Sequence, residues 1–214
     1  MKKLQVLRNV QQQKVVAVIR TESTEQAIHV ADACIAGGMK IIELTYSIPN
    51  AERAIEELQM KYQSDQEVII GAGTVLDAYT ARQAIFAGAS FIVGPSFDKE
   101  TAKLCNLYQI PYLPGCLTVT EIKEAMESGV DVVKIFPGAS IDPSFIKAVH
   151  GPVPQANMMP TGGVSLDNID KWLKNGAIAV GIGGNLVAPA KEGNYQKITE
   201  LANAYISRAK GVTV

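Results

Sequence analysis

The sequence predicts an α/β fold: a (β/α)8 TIM barrel preceded by a short N-terminal helix, one domain over residues 1–214. Three observations carry this. Eight short, almost continuously apolar runs recur along the 214 residues, with starts 20–27 residues apart. Each is followed by a segment of helical periodicity with its own start and stop residues, and no Pro/Ser-rich linker interrupts the series. Strands buried on both faces read as unbroken apolar runs, and their alternation with helices implies parallel pairing through βα crossovers. A doubly wound open sheet is the competing architecture. The regular count and the lack of G-x-G-x-x-G after the first run weigh against it.

The elements follow in order. The opening "MKKLQVLRNVQQQK" is polar and amphipathic, which predicts a short helix; it has neither the apolar stretch nor the cleavage site of a signal peptide. VVAVIR (15–20) predicts the first strand, followed by a helix that Thr24-Glu25 opens and Gly37-Gly38 close. KIIELT (40–45) is the second. After it, "NAERAIEELQMKY" has Asn50 as a candidate N-cap and Ala54, Ile55 and Leu58 on one stripe. EVIIGAG (67–73), SFIVG (90–94) and IPYLPG (110–115) are the next three strands. "TVTEIKEAMESG" begins with a capping box, Thr118 to Glu121, and ends at Gly129. DVVKIF (131–136), NMMPT (157–161) and IAVGIGG (178–184) complete the eight, with Trp172 expected to pack the seventh helix against the barrel.

Composition narrows the function classes. A net charge of −1 and a pI near 6.1 leave no basic footprint for nucleic acid. No apolar run approaches the roughly 20 residues that span a bilayer. Cys34, Cys105 and Cys116 are odd in number and form no C-x-x-C pair, which predicts core filling and a reducing cytoplasm. His29 and His150 lie in no metal-binding spacing, so neither a metal nor a cofactor is expected, and both read as surface or core fillers. Arg53 reads as a solvated charge.

One residue is out of character. In "DVVKIFP" a lysine, Lys134, interrupts an apolar strand just before its loop. Period-two alternation puts Val132, Lys134 and Phe136 on one face. The same ruler groups Ile41, Glu43 and Thr45, and Val16, Val18 and Arg20. If these faces point into the barrel, Lys134, Glu43 and Arg20 converge at the C-terminal strand ends, where barrel chemistry resides. Taken singly, Lys134 reads as an edge residue reaching water, and Glu43 as half of a structural ion pair. Burying several ionisable groups together is costly, and function is the stronger reason to tolerate it. A lysine amine attacks carbonyls only when uncharged, and burial favours that form. Condensed with a ketone it becomes an iminium, an electron sink beside which a carboxylate can move protons.

Two glycine pairs follow the last two strands, in "PTGGVS" (160–165) and "GIGGNL" (181–186). Glycines let backbone N–H groups approach an anion, and barrels commonly hold phosphate at this place. "GAGTV" (71–75) is a third candidate loop, with the Thr74 hydroxyl towards the mouth. Cys116 ends the fifth strand without a histidine to activate it and reads as packing.

With these motifs placed, the sequence resembles the 2-keto-3-deoxy-6-phosphogluconate (KDPG) and 4-hydroxy-2-oxoglutarate (KHG) aldolases over roughly residues 10–205. The resemblance implies a metal-independent, Schiff-base lyase that releases pyruvate, assembled as a homotrimer. It makes Lys134 the imine lysine in "VVKIFP" and Glu43 the proton carrier in "IIELT". Thr74, Pro95 in "VGPSF" and Phe136 match positions around the pyruvyl unit. Gly162, Gly163, Gly183 and Gly184 match the phosphate-binding turns. Two positions depart from the pattern. Ser47 stands where some members carry a carboxylate-binding arginine, whereas Arg20 stands where others do, so Arg20 with Thr74 is expected to anchor the carboxylate. Asn185 stands where a serine often follows the last Gly-Gly, and its amide can still donate to phosphate. Other readings are a sugar-phosphate isomerase or epimerase, a phosphometabolite-binding protein without catalysis, and an aldolase for the galactonate stereoisomer.

Overall fold

A computed structural model describes residues 1–212, so Thr213 and Val214 of the predicted domain lie outside the described residues. Helix α1 (Lys2–Gln13) comes first. Strand β1 (Val15–Ile19), α2 (Thr24–Ala36), β2 (Ile41–Thr45), α3 (Ala51–Lys61), β3 (Ile69–Gly73) and α4 (Ala78–Phe86) follow. Then come β4 (Ile92–Val93), α5 (Lys99–Tyr108), β5 (Tyr112–Leu113), β6 (Gly115–Cys116), α6 (Val119–Glu127) and β7 (Val133–Ile135). The chain closes with α7 (Ser144–His150), β8 (Met158–Pro160), α8 (Ile169–Lys174), β9 (Val180–Ile182), α9 (Gly184–Val187) and α10 (Tyr195–Lys210). Short 3-10 turns span Gly138–Ser140 and Ala188–Glu192.

All strand pairs are parallel, in a curled sheet of order β5-β4-β3-β2-β1-β9 and a second of order β6-β7-β8. A single bridge, Thr161 to Gly181, links the β8 side to β9. The ladder thus runs in two parts, of six and three strands, where the sequence reads as a single ring of eight. The fifth run divides at Pro114, which has no N–H to give to a ladder. Its carbonyl still accepts from Lys134 N–H at 2.9 Å, and Gly115 N–H donates to Gly94 O at 3.0 Å. The other predicted strands are shortened by one to four residues, at either end or both: β2 and β3 lose residues at the start, while Arg20 and Phe136 fall just past the ends of β1 and β7.

Alternation separates two cores. Ala17, Ile42, Ile70, Ile92, Val133, Met158 and Val180 face the surrounding helices. Val16, Ile41, Ile69, Phe91, Val132 and Met159 face inwards, where Val6 and Val10 of α1 join them as a plug. The period-two pattern therefore fixes which side chains meet inside the curl. Lys3 of α1 pairs with Asp131 at 2.8 Å and holds the plug to the segment entering β7.

Side-chain caps form at α2, α4, α5, α6 and α10. Ser23, Asp77 and Asp98 accept from the backbone N–H three residues on, and Thr118 with Glu121 forms the expected capping box. Asn50, the candidate N-cap of α3, does not act as one. It precedes α3 in a left-handed conformation (φ 51°) and its side chain makes no capping bond. The loop is pinned instead by Thr24 Oγ1 donating to Pro49 O at 2.6 Å. Trp172 is buried in α8, and Arg53 is an exposed charge that pairs with Glu57 at 2.7 Å. His150 packs with its Nε2 2.9 Å from Ala156 O, while the His29 ring meets Tyr195 edge-on. All three cysteines are free and buried, and desolvation pushes each thiol up to about 12.

Candidate active site

A cavity of about 880 Å³ opens at the C-terminal ends of the strands, above the apolar plug. Its floor is set by register. Val18 of β1 lies beside Glu43 of β2, and Glu43 beside Gly71 of β3. On the other side Gly115 of β6 lies beside Lys134 of β7, which neighbours Met159 of β8. The inward positions that carry apolar side chains lower down thus carry ionisable ones one step higher.

Glu43 is 1% exposed, and neither carboxyl oxygen has a hydrogen-bond partner among the described residues. It fits because Gly73 of the neighbouring strand has no side chain; a Cβ there would fall on the Glu43 carboxyl. Burial pushes the Glu43 carboxyl above its ordinary value, while the charges of Lys134 and Arg20 pull it back down. Lys134 is 5% exposed, with its Nζ 4.7 Å from the centre of the Phe136 ring. That ring shields the amine from water on one side and contributes a cation–π contact when the amine is charged.

Arg20 leaves the end of β1 and its Nη2 donates to Thr74 Oγ1 at 3.1 Å. Thr74 follows Gly73 with φ at 56°, in a region β-branched residues rarely occupy, at a cost of about 1–3 kcal/mol. The strained turn directs the hydroxyl to Arg20. Ser47 is engaged elsewhere. Thr45 Oγ1 donates to Ile19 O at 3.0 Å, so its 2.9 Å contact with Ser47 Oγ has Ser47 as the donor. Pro95 lines the wall between Thr74 and Phe136.

The far end of the cavity is formed by Gly162, Gly163, Gly183, Gly184 and Asn185. Gly162 and Gly163 have φ of 89° and 71°, which an L side chain disfavours, and a Cβ on Gly163 would press on Ala139. A Cβ on Gly184 would meet nothing within 4 Å, so its backbone is open to the cavity. Asn185 is exposed on the four-residue helix α9. Every site residue expected from the sequence borders this one cavity.

Others were missed. Thr161 lines the cavity with its hydroxyl buried and without a partner. A signal existed, since Thr161 ends an apolar run as Thr45 does. Gln26 and Lys191 also line it, and nothing local announced them. Gln26 is tied to the residue before Lys191, 164 positions away in sequence, its Nε2 donating to Ala190 O at 3.0 Å.

The sequence model of one family, described as "Aldolase: KDPG and KHG aldolase", matches residues 6–201. The chain belongs to the KDPG and KHG aldolase family. A 2-dehydro-3-deoxy-phosphogluconate aldolase of Treponema pallidum is 33% identical over 193 residues, 88% of this chain and 90% of that protein. The KHG/KDPG aldolase of Escherichia coli K12 is 33% identical over 200 residues, 92% of each chain. Among solved structures, the KDPG aldolase of Legionella pneumophila superposes with a TM-score of 0.84 at 32% identity, covering 92% of this chain and 95% of that one. That structure holds pyruvate captured at low pH as a covalent carbinolamine intermediate.

Proposed function

We propose that this KDPG/KHG-family chain is a class I aldolase that reversibly cleaves 2-keto-3-deoxy-6-phosphogluconate to pyruvate and glyceraldehyde 3-phosphate. By the same chemistry it cleaves 4-hydroxy-2-oxoglutarate to pyruvate and glyoxylate. The observation that carries the reading is the buried pair: Lys134 and an unpartnered Glu43 bordering one cavity, with the Lys134 charge acting on the Glu43 carboxyl.

In this reading the uncharged Nζ of Lys134 attacks the C2 ketone. Glu43, whose carboxyl burial keeps protonated to higher pH, gives its proton to the departing hydroxyl, and water leaves the carbinolamine. The resulting carboxylate takes the C4 hydroxyl proton. The C3–C4 bond then breaks, its electron pair flows into the iminium, and the aldehyde departs. The enamine takes a proton back at C3, and water releases pyruvate from Lys134. Arg20, oriented by Thr74, clamps the substrate carboxylate, with Phe136 and Pro95 flanking the pyruvyl unit. Gly162, Gly163, Gly183, Gly184 and Asn185 receive the phosphate on backbone and amide N–H groups.

Borohydride reduction in the presence of pyruvate tests this. A stable secondary amine is expected on Lys134, located by peptide mass mapping and lost in Lys134→Ala. A folded wild-type chain that forms no adduct would overturn the aldolase reading in favour of acid–base isomerisation.

Three broader expectations belong to the same reading. The two sheets act as one eight-strand barrel within a single domain, supported by the Thr161–Gly181 bridge and the Gly115–Gly94 bond. The assembly is a homotrimer, supported by the exposed apolar Leu76, Tyr79, Phe86 and Leu107 on and beside α4 and α5. Sedimentation of the intact protein measures that. The compartment is the cytoplasm, supported by three unpaired cysteines.

A further inference from the structure

Three cationic side chains border the cavity among the described residues: Arg20, Lys134 and Lys191. Two are committed. Arg20 is bonded to Thr74, and Lys134 lies over Phe136. A phosphorylated keto acid brings two anionic groups, and glycine turns offer N–H dipoles but no full charge. We infer that Lys191 supplies the charge at the phosphate end and sets the preference for phosphorylated over unphosphorylated substrates. The inference rests on the aldolase reading above.

Its position is built rather than incidental. Lys191 lies in the 3-10 turn Ala188–Glu192, which follows directly after α9 and the glycine pair Gly183-Gly184. The turn is fixed at both ends. Gln26 of α2 donates to Ala190 O at 3.0 Å, and Asn194 N–H donates to Pro189 O at 3.0 Å. Gly193, with φ at 67°, closes it with its N–H 3.1 Å from Ala190 O. Gln26 also accepts from Glu22 N–H at 3.3 Å through Oε1. One amide therefore ties the loop after β1, which carries Arg20, to the turn that carries Lys191. The spacing between the two anion-binding cations is set by a side chain that needs no charge.

Electrostatics at this end call for such a cation. Glu22 borders the same wall and repels a phosphate, and Asn185 brings a dipole but no charge. Lys191 itself is exposed, so a flexible ammonium meets the phosphate as a point charge in partly screened surroundings. Its contribution is modest and specific to charge. It leaves imine formation at Lys134 untouched.

The experiment compares Lys191→Met and Lys191→Arg with the wild type on the phosphorylated substrate and on 4-hydroxy-2-oxoglutarate, following pyruvate release. Inorganic phosphate serves as a competitive inhibitor. In Lys191→Met the KM for the phosphorylated substrate and the phosphate inhibition constant are expected to rise roughly threefold to fivefold, with kcat and the unphosphorylated KM within about twofold. Lys191→Arg keeps the charge and is expected to restore the wild-type preference. An unchanged preference in Lys191→Met, or an equal loss on both substrates, overturns the inference while leaving the aldolase reading intact. A wild-type chain that releases pyruvate from neither substrate defeats the aldolase reading itself, and this inference with it.

Discussion

Placing one methyl group at Gly73 is expected to disable Glu43 without touching it in sequence. The backbone of Gly73 is ordinary strand, so alanine is conformationally permitted there, and the entropy lost by the unfolded chain would favour folding by about 0.4–1 kcal/mol. Space decides the opposite way. The new Cβ would fall on Glu43 Oε1 and lie 2.6 Å from both Cγ and Cδ. Glu43 is buried and its open side is the cavity, so relieving the clash moves the carboxyl out of its place on the cavity floor. Overpacking of this kind costs about 1–3 kcal/mol. The balance for Gly73→Ala is a net loss of roughly 1–2 kcal/mol, about 2–7 °C in Tm for a chain of this size. Displacement of the proton carrier lowers kcat by about 10²–10⁴-fold, the usual worth of a positioned acid–base group. Two assays separate the parts: thermal unfolding, and pyruvate release under saturating substrate. The decisive comparison adds Glu43→Ala. With that side chain gone the clash is gone, so Gly73→Ala in the Glu43→Ala background is expected to be neutral or stabilising, a coupling between sites in contact. Wild-type kcat in Gly73→Ala, or a simple sum of the two stability changes, would refute the packing argument.

Other substitutions probe the remaining parts. Glu43→Gln is expected to abolish turnover and to raise Tm at neutral pH. The sign follows from burial: the folded carboxyl titrates above its ordinary ~4.3, so wild-type stability is fullest below that value and declines as pH rises through the raised one. The Tm gain of the variant should therefore vanish near pH 4 and grow above it; a gain independent of pH would sink the assignment. Arg20→Lys keeps the charge but loses the fork that binds a carboxylate in two places, and pyruvate affinity measured by imine trapping is expected to fall about tenfold. Unchanged affinity would remove Arg20 as the anchor. Thr118→Ala opens the capping box of α6, outside the cavity lining, and should cost about 1 kcal/mol in urea unfolding with kcat unaltered.

The sequence made the site legible where chemistry and strand periodicity coincide. Lys134 and Glu43 were visible because a charge in an apolar run contradicts its neighbours, and period two then says which way each side chain points. The turn glycines were visible because two pairs fall at corresponding strand ends. Pairing was less legible. Pro114 announces a missing donor, yet its neighbours still pair across the gap, so a single run reads as one strand where the ladder has two. Asn50 has the right residue type for a cap, but its backbone is left-handed and another side chain, Thr24, holds the loop. Gln26 and Lys191 were invisible for a different reason. Their significance lies in a contact between distant loops, and no local pattern encodes it.

Unsatisfied polarity alone does not mark the site. Buried atoms without partners include Tyr46 Oη and Trp172 Nε1 as well as both Glu43 oxygens and Thr161 Oγ1. Of these, Glu43 and Thr161 border the cavity and the other two do not. A buried polar group against packed atoms simply costs stability, whereas one beside an open space can be satisfied by whatever enters it. Asp65 shows the opposite condition. Its carboxyl is held below the usual range, chiefly by the Lys40 ammonium 3.0 Å away, and a proton there is of no use to a substrate. Glu43 is raised, unpartnered and faces space, so it holds its proton to higher pH than an ordinary carboxyl and can pass it to what enters the cavity. Pairing it in the resting state with a nearby arginine or lysine would stabilise the fold and spoil the exchange. Arg20 is bonded to Thr74 instead, and the missing side chain at Gly73 leaves room for a carboxyl that no hydrogen bond among the described residues holds.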